Sequence, residues 1–177
     1  MTFFCIEMVV GFNVQHLFKF PVDIVVKTYI NQINNNDNNS QGLTELQHTK
    51  DDSTEMECLK WITTWDNCFP SFFQRLSVLQ TKSIRFYEEI WSQWKENRHW
   101  IRRRNLTWED EAEIGRLVYI SQHEHNPNWT YWEETGVINF VSFGSIGYAL
   151  EMYLKRKLKA KSYEEIRSLE KAMLMRS

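Results

Sequence analysis

Two alternating segments in the last third of the chain decide its fold: IGRLVYISQHE at residues 114–124 and TYWEETGVINFVSF at residues 130–143. Apolar and polar side chains largely alternate in both, which is typical of strands with one buried face. A tight turn is predicted at Asn126-Pro127-Asn128-Trp129, and one long basic helix from about Ile146 to the end of the chain. A hairpin followed by an amphipathic helix predicts a sheet with a helix packed on it.

Toward the N-terminus, the pattern adds more strands and two short helices. Residues 3–19 have strand-like composition, and Pro21 opens a short helix whose apolar residues follow the helical period. The Asn-rich run at residues 34–39 favours a loop, and Pro70 precedes a short apolar helix or loop. Further strands are predicted at residues 43–47, 55–64, 83–94 and 100–109. These six or seven antiparallel strands and their helices predict a single α+β domain over residues 1–177.

Composition limits the classes of function. The chain has 177 residues, of which 15% are aromatic, and its net charge of −2 gives no overall field that would favour nucleic acid. The three cysteines have no metal-ligand spacing, and no apolar run approaches the length of a membrane-spanning helix. No nucleophile signature or phosphate-binding loop is present, so we expect no enzyme, no cofactor and no resident metal.

His123 and His125 are the only pair of side chains that suggests a metal. They lie two residues apart on a predicted strand end, so their rings point to the same side. Two such histidines can ligate a metal, or they can be solvated residues before a turn.

The sharpest charge feature is a basic cluster on the last helix. Lys157 and Lys161 lie one turn apart near the edge of the helix's apolar face. The cluster is either an ordinary solvated face or an anion site in which ammonium groups meet a phosphate. A second basic group, the four Arg at residues 98–104, is predicted to lie on an exposed edge strand. The full cluster is Lys155, Arg156, Lys157, Lys159 and Lys161.

Two other features leave alternatives open. Lys60 alternates with Cys58 and Ile62, so it is a buried cation that needs an anionic partner if that face points inward, and a solvated residue otherwise. An aromatic cluster around Pro70 either plugs the core or forms a lid with an apolar face toward a membrane. Its aromatic members are Trp65, Phe69, Phe72 and Phe73.

From about residue 11 to residue 175, the chain resembles the PRELI (slowmo/Ups) family of mitochondrial lipid-transfer proteins. No single motif carries this resemblance, which rests on the ordered combination of several short ones. The matching residues are Lys19-Phe20-Pro21 with Val25-Val26, Phe69-Pro70 with residues 75–79, Leu106-Thr107-Trp108, Asn126-Pro127-Asn128-Trp129-Thr130, Gly136, Gly144 and Leu150-Glu151.

The resemblance implies a helix-grip, START-like fold: a curved seven-stranded antiparallel sheet with a long C-terminal helix and a short lid helix over a lipid cavity. The implied activity is transfer of an acidic glycerophospholipid, phosphatidic acid or phosphatidylserine, between mitochondrial membranes. The implied location is the intermembrane space, and the implied partner is a small twin-Cys-x9-Cys protein. Contact with the membrane surface would be transient.

The resemblance also assigns roles to residues. Lys60, Lys157 and Lys161 fall on or near the family's head-group positions, while Gln32 and Glu164 stand where the family has basic residues. The lid is predicted to contain Trp65, Phe69, Pro70, Phe72 and Phe73. The cavity wall is predicted to contain Trp61, Tyr119, Phe140, Leu150 and Tyr153.

The leading prediction is therefore a phospholipid carrier that is not an enzyme. One alternative is an interaction module on the same fold that has lost transfer. Another is a small-molecule enzyme that uses the cavity, with His123 or Glu151 as acid or base.

Overall fold

The computed structural model describes residues 10–35, 46–51, 56–141 and 143–175. In this part of the chain, seven strands and two α-helices follow one another. Three short 3₁₀ turns occur as well, at Phe73–Arg75, Ser77–Leu79 and Trp94–Glu96. The main elements are β1 (Val10–Phe18), α1 (Val22–Asn35), β2 (Leu46–Asp51), β3 (Met56–Asp66), β4 (Ser83–Gln93), β5 (Arg98–Asn105), β6 (Ala112–His123), β7 (Asn126–Phe140) and α2 (Gly144–Leu174).

The strands form one antiparallel sheet in the order β1-β7-β6-β5-β4-β3-β2. Strands β2 to β7 make a meander in which each strand pairs with the next. Strand β1 pairs with β7, so β1 and β2 lie at the two edges of the sheet. This is the sheet and helix arrangement of a helix-grip, START-like fold, and it confirms the predicted fold class.

Alternation along the strands separates an inner, helix-covered face from an outer face. Val118 of β6 opposes Ile101 of β5 on the inner face, and both side chains are fully buried. Helix α2 has 31 residues, so it is about 46 Å long and can cross the whole sheet. Its buried face packs on the core through Leu150, Leu154, Ile166, Leu169 and Met173.

Several predicted boundaries are corrected. The β6–β7 turn lies at residues 124–125, two residues earlier than predicted, and Pro127 lies inside the start of β7. Strand β5 is not an edge strand, because it pairs with both β4 and β6. The helix predicted after Pro70 is only two 3₁₀ turns. Predictions at residues 3–9, 36–45 and 52–55 lie outside the described residues.

None of the helices in the described ranges is both long enough and apolar enough to span a bilayer.

Candidate ligand-binding cavity

A cavity of about 280 Å³ lies between the inner face of the sheet and the two helices. Helix α2 contributes Lys161, Glu164, Glu165 and Ser168, whose spacing of i, i+3, i+4 and i+7 places them on one face of the helix. Glu164 and Ser168 are exposed, so the cavity opens to solvent between α1 and α2. Its lining consists of Tyr29, Gln32, Ile33, Trp61, Thr63, Trp65, Glu88, Arg103, Lys161, Glu164, Glu165 and Ser168.

A buried ion network centred on Arg116 lies next to the cavity. Arg116 of β6 donates to both carboxylate oxygens of Glu165 on α2, at 2.6 and 3.1 Å, and to the Tyr29 hydroxyl at 3.2 Å. Its guanidinium also lies 3.6 Å from Glu134, whose side chain is fully buried and accepts a hydrogen bond from Ser162. This network ties both helices to the middle of the sheet.

The network sets the charge state of its members. Burial alone would raise the pKa of Glu165, but the Arg116 guanidinium holds that pKa below its usual range. Burial, with the Glu165 carboxylate, raises the pKa of Tyr29 well above its usual value. Tyr29 therefore stays neutral while Glu165 stays ionised.

A second ion pair lines the cavity itself. Arg103 of β5 donates to Glu88 of β4 at 2.8 Å, and Thr63 of β3 donates to the other oxygen of that carboxylate. The Arg103 guanidinium carbon lies 4.4 Å from the ring centroid of Trp65. Its Nε atom is buried and has no acceptor among the described residues.

Lys161 is the cavity cation without an ion-pair partner. Its Nζ lies 3.3 Å from the ring centroid of Trp65, the ring that Arg103 also contacts. Within the described ranges, no carboxylate lies within salt-bridge distance of this ammonium group. Burial first, and the Arg103 charge second, lower the pKa of Lys161 to about 8.

A much smaller void of about 20 Å³ adjoins the cavity and shares Trp65, Arg103 and Lys161 with it. Its remaining walls include the apolar side chains of Phe12, Phe86 and Leu158 and the charged side chains of Arg116 and Glu134. The cavity therefore adjoins a small void in which apolar side chains and the buried ion network meet.

Four of the predicted site residues meet at this cavity. Lys161, Gln32 and Trp61 line it, and the Gln32 amide donates to Ser168 at 3.2 Å. Trp65 also lines it, as a buried residue near the end of β3 and not as part of a mobile lid.

The other ten predicted site residues do not line the cavity. Lys60 is on the outer face of the sheet, where it opposes Glu89 and its Nζ lies 5.9 Å from the Trp91 ring centroid. Tyr119 is also on the outer face, opposite Trp100. Lys157 is not part of the cavity lining, and its Nζ lies 5.8 Å from the ring centroid of Tyr153.

The predicted wall at the other end of α2 is packed core and not cavity. Phe69 is 3% exposed, and its ring contacts those of Phe140, Trp108 and Tyr153. Leu150 is fully buried in the same cluster. The space behind Pro70 is therefore filled by aromatic rings.

The predicted lid corresponds to the loop at residues 67–82, and its members differ in exposure. Phe69 is buried, whereas Phe72 is 60% exposed and stacks on Phe73. The loop is held by hydrogen bonds from the Tyr153 hydroxyl to the Cys68 carbonyl and from the Trp108 indole to the Val78 carbonyl. Pro70 starts the first 3₁₀ turn through its carbonyl.

His123 and His125 do not form a metal site with other residues. Their ring centroids lie 5.9 Å apart, and the His125 backbone N–H donates to Nδ1 of His123. Across the described part of the chain, no group of three or more potential ligands could hold a metal ion.

Sequence reasoning missed Arg103, Arg116 and Glu165. A signal for Arg116 was present, because it lies between Ile114 and Val118 in the alternating inner set of β6. An arginine in such a set is a buried cation that needs carboxylate partners.

No family model matches the chain. Solved structures with the same fold include TTHA0849 from Thermus thermophilus, with a TM-score of 0.56 and 11% identity over 95% of this chain and 99% of that one. The Zhui aromatase/cyclase from Streptomyces sp. R1128 has a TM-score of 0.58 and 8% identity over 95% of each chain. Ara h 8.0201 has a TM-score of 0.54 and 8% identity over 94% of this chain and 99% of that one.

These similarities correct one prediction. We expected no enzyme because no catalytic motif is visible, yet an aromatase/cyclase has this fold over almost its whole length. The prediction is therefore wrong as an exclusion, since an enzyme shares this fold.

Proposed function

We propose that this chain binds an acidic glycerophospholipid in the cavity and carries it between membranes, with the phosphate at Lys161. The observation that carries the proposal is the unpaired Lys161 ammonium beside Arg103 on the Trp65 ring. The helix-grip neighbours support a hydrophobic ligand-binding cavity in a protein of this fold.

An anionic head group would complete the charge balance of the site. A partly buried ammonium without a carboxylate is costly, and a phosphate oxygen would supply the missing acceptor. The Arg103 guanidinium lines the same cavity and lies on the same ring, so one phosphate could be contacted from two sides. The amide of Gln32, which is at the cavity mouth, can donate to the ester or glycerol oxygens.

The acyl chains require more space than the cavity provides. At about 280 Å³, it lies just below the usual range of about 300–1,000 Å³ for small-ligand pockets. Each methylene that leaves water contributes about 0.8 kcal/mol, so extraction of a diacyl lipid requires most of each chain to be enclosed. The cavity must therefore widen when the lipid enters.

The loop at residues 67–82 is the part that we expect to move. It contains no strand or α-helix, and withdrawal of Phe69 would vacate the space between Trp108, Phe140 and Tyr153. The exposed Phe72 ring on this loop can enter the membrane surface as the loop opens.

The resemblance to the PRELI family supports the remaining part of the proposal. We propose the mitochondrial intermembrane space as the location and a small twin-Cys-x9-Cys protein as the partner. Import into isolated mitochondria with protease protection tests the location, and co-purification with such a protein tests the partner. Recovery of the protein in the matrix or in the cytosol would contradict the proposed location.

Transfer between labelled liposomes tests the function directly. Lys161→Met should reduce transfer of phosphatidic acid at least tenfold, whereas Lys157→Met is the matched control one turn away on the same helix. We expect the control to keep wild-type transfer, because Lys157 lies outside the cavity. Lack of transfer by the wild-type protein with any anionic lipid, with and without the partner, would refute the proposal.

A further inference from the structure

We propose that the Lys161 amine forms a reversible imine with a small oxo acid that enters the cavity between α1 and α2. This is a second chemistry of the cavity, and it does not rest on lipid transfer. It needs an amine that is accessible, not held as an ion pair, and placed beside a group that can bind a carboxylate.

The carboxylates around Lys161 are already used or too far away. Glu165 is bound by Arg116 and Glu88 is bound by Arg103, while Glu164 lies at the solvent-exposed rim. Among the described residues, none of them lies within salt-bridge distance of the Lys161 ammonium. The amine therefore lines the cavity, with its Nζ against the Trp65 ring.

The surroundings make the neutral, nucleophilic form of this amine far more populated than that of an exposed lysine. Burial and the nearby Arg103 charge lower the pKa of Lys161 to about 8, whereas an exposed lysine has a pKa of about 10.4. At pH 7.5, the free-amine fraction is then about 200 times larger at Lys161 than at an exposed lysine. Desolvation beside another cation is a known way to activate a lysine.

The step balances without an oxidant or a reductant. The Nζ lone pair adds to the carbonyl carbon, and the carbonyl oxygen takes up a proton as the nitrogen loses one. The resulting carbinolamine expels its oxygen as water, and the C=N bond of the imine forms. One amine and one carbonyl group give one imine and one water molecule.

Arg103 points to an oxo acid as the carbonyl compound. Its guanidinium shares the Trp65 ring with Lys161, and its buried Nε–H has no acceptor among the described residues. The Arg103 guanidinium also lines the cavity, so a carboxylate adjacent to the carbonyl carbon would accept from it while the carbonyl meets the amine. A cavity of about 280 Å³ has room for a ligand of this size without loop movement.

Reductive trapping tests the inference. The full chain is incubated with glyoxylate and sodium cyanoborohydride at pH 7.5, and fragment mass spectrometry compares carboxymethylation of Lys161 with that of Lys157 in the same peptide. We expect Lys161 to react at least tenfold faster, and the difference to shrink as the pH approaches 10, where exposed lysines also lose their protons. Equal or faster reaction at Lys157 would overturn the proposal.

A second comparison tests the oxo-acid assignment without any mutation. Acetaldehyde lacks the carboxylate, so the preference for Lys161 over Lys157 should be several-fold larger with glyoxylate than with acetaldehyde. An equal preference for Lys161 with the two aldehydes would show that Arg103 does not bind the carboxylate. Lys161→Met, checked for folding by circular dichroism, should abolish the fast-reacting site.

Adding phosphatidic acid vesicles separates this inference from the proposed function. A bound phosphate would keep Lys161 protonated and shield it from glyoxylate. Protection supports both proposals, whereas rapid labelling that vesicles do not affect supports imine formation and counts against the lipid site.

Discussion

Replacing Arg116 by Met should destabilise the protein more than any single change at an exposed ion pair. The Arg116 side chain is 6% exposed, and it neutralises Glu134, which is 0% exposed, and Glu165, which is 22% exposed. Removal of one partner of a buried ion pair costs about 3–5 kcal/mol, because the remaining charges stay buried. For a chain of this length, that corresponds to a melting temperature lower by about 6–20 °C.

The matched control is Arg102→Met in the neighbouring strand. Arg102 is 64% exposed and lies 3.8 Å from Glu89, so its loss should cost less than about 1 kcal/mol. Urea titration of both variants and the wild type at pH 7 measures the free energies of unfolding. Equal losses in the two variants would refute the assignment of Arg116 as the centre of a buried network.

The pH dependence gives an independent check on this network. Because Arg116 lowers the folded-state pKa of Glu165, its stabilising contribution is fully present above the unfolded value of about 4.3 and is lost as the pH falls through the folded pKa. The stability gap between wild type and Arg116→Met should therefore narrow below about pH 4. A gap that stays constant from pH 7 to pH 3 would contradict the ion-pair explanation.

Three further predictions concern packing and titration. Gly136→Ala would place a Cβ 2.0 Å from the Phe12 ring, so thermal unfolding should show a loss of about 1–3 kcal/mol, and unchanged stability would contradict this packing. Phe69→Ala should lose about 3–5 kcal/mol in urea titration, because the ring fills the space behind Pro70; a loss below about 1 kcal/mol would show that the loop is already open. The wild type should gain stability relative to Lys161→Met between pH 8 and pH 10, since the folded lysine releases its proton first, and parallel curves would refute its lowered pKa.

The strands and the last helix could be predicted because their periodicity is unambiguous. Buried and more exposed residues alternate over residues 112–120 of β6 and 130–140 of β7, which is long enough to exclude a helical period. The turn between β6 and β7 was predicted two residues too far along the chain, because Pro127 suggests an interruption of the strand. Proline is tolerated there because it lies at the start of β7, before the pairing with β1 begins at Thr130.

The candidate site could be predicted in part, since Lys161 and Gln32 on the helices and Trp61 and Trp65 on β3 all line the cavity. Spacing along α2 was enough to place Lys161 beside an apolar face. In strands, the sequence identifies two alternating sets of side chains but not which set faces the core. A shift of one residue along the strand moves every side chain to the opposite face. Alternation left both faces open for Lys60, and only the resemblance placed it at the head group. Trp61, which was also predicted to line the cavity, does so together with Thr63. The same ambiguity concealed Arg103, which lies one residue from two exposed arginines.

Packing behind the loop could not be read from composition. An aromatic cluster has the same composition whether its rings cover an empty lipid cavity or occupy the space of that cavity. Phe69 fills it, because contacts with Trp108, Phe140 and Tyr153 bury its ring almost completely.

Native mass spectrometry after incubation with phosphatidic acid vesicles tests the central claim most directly, namely that the cavity at Lys161 holds one anionic lipid. We predict one lipid per wild-type chain, the same occupancy in Lys157→Met, and loss of the complex in a folded Lys161→Met variant. Equal occupancy in all three proteins, or no bound lipid in any of them, would contradict the claim.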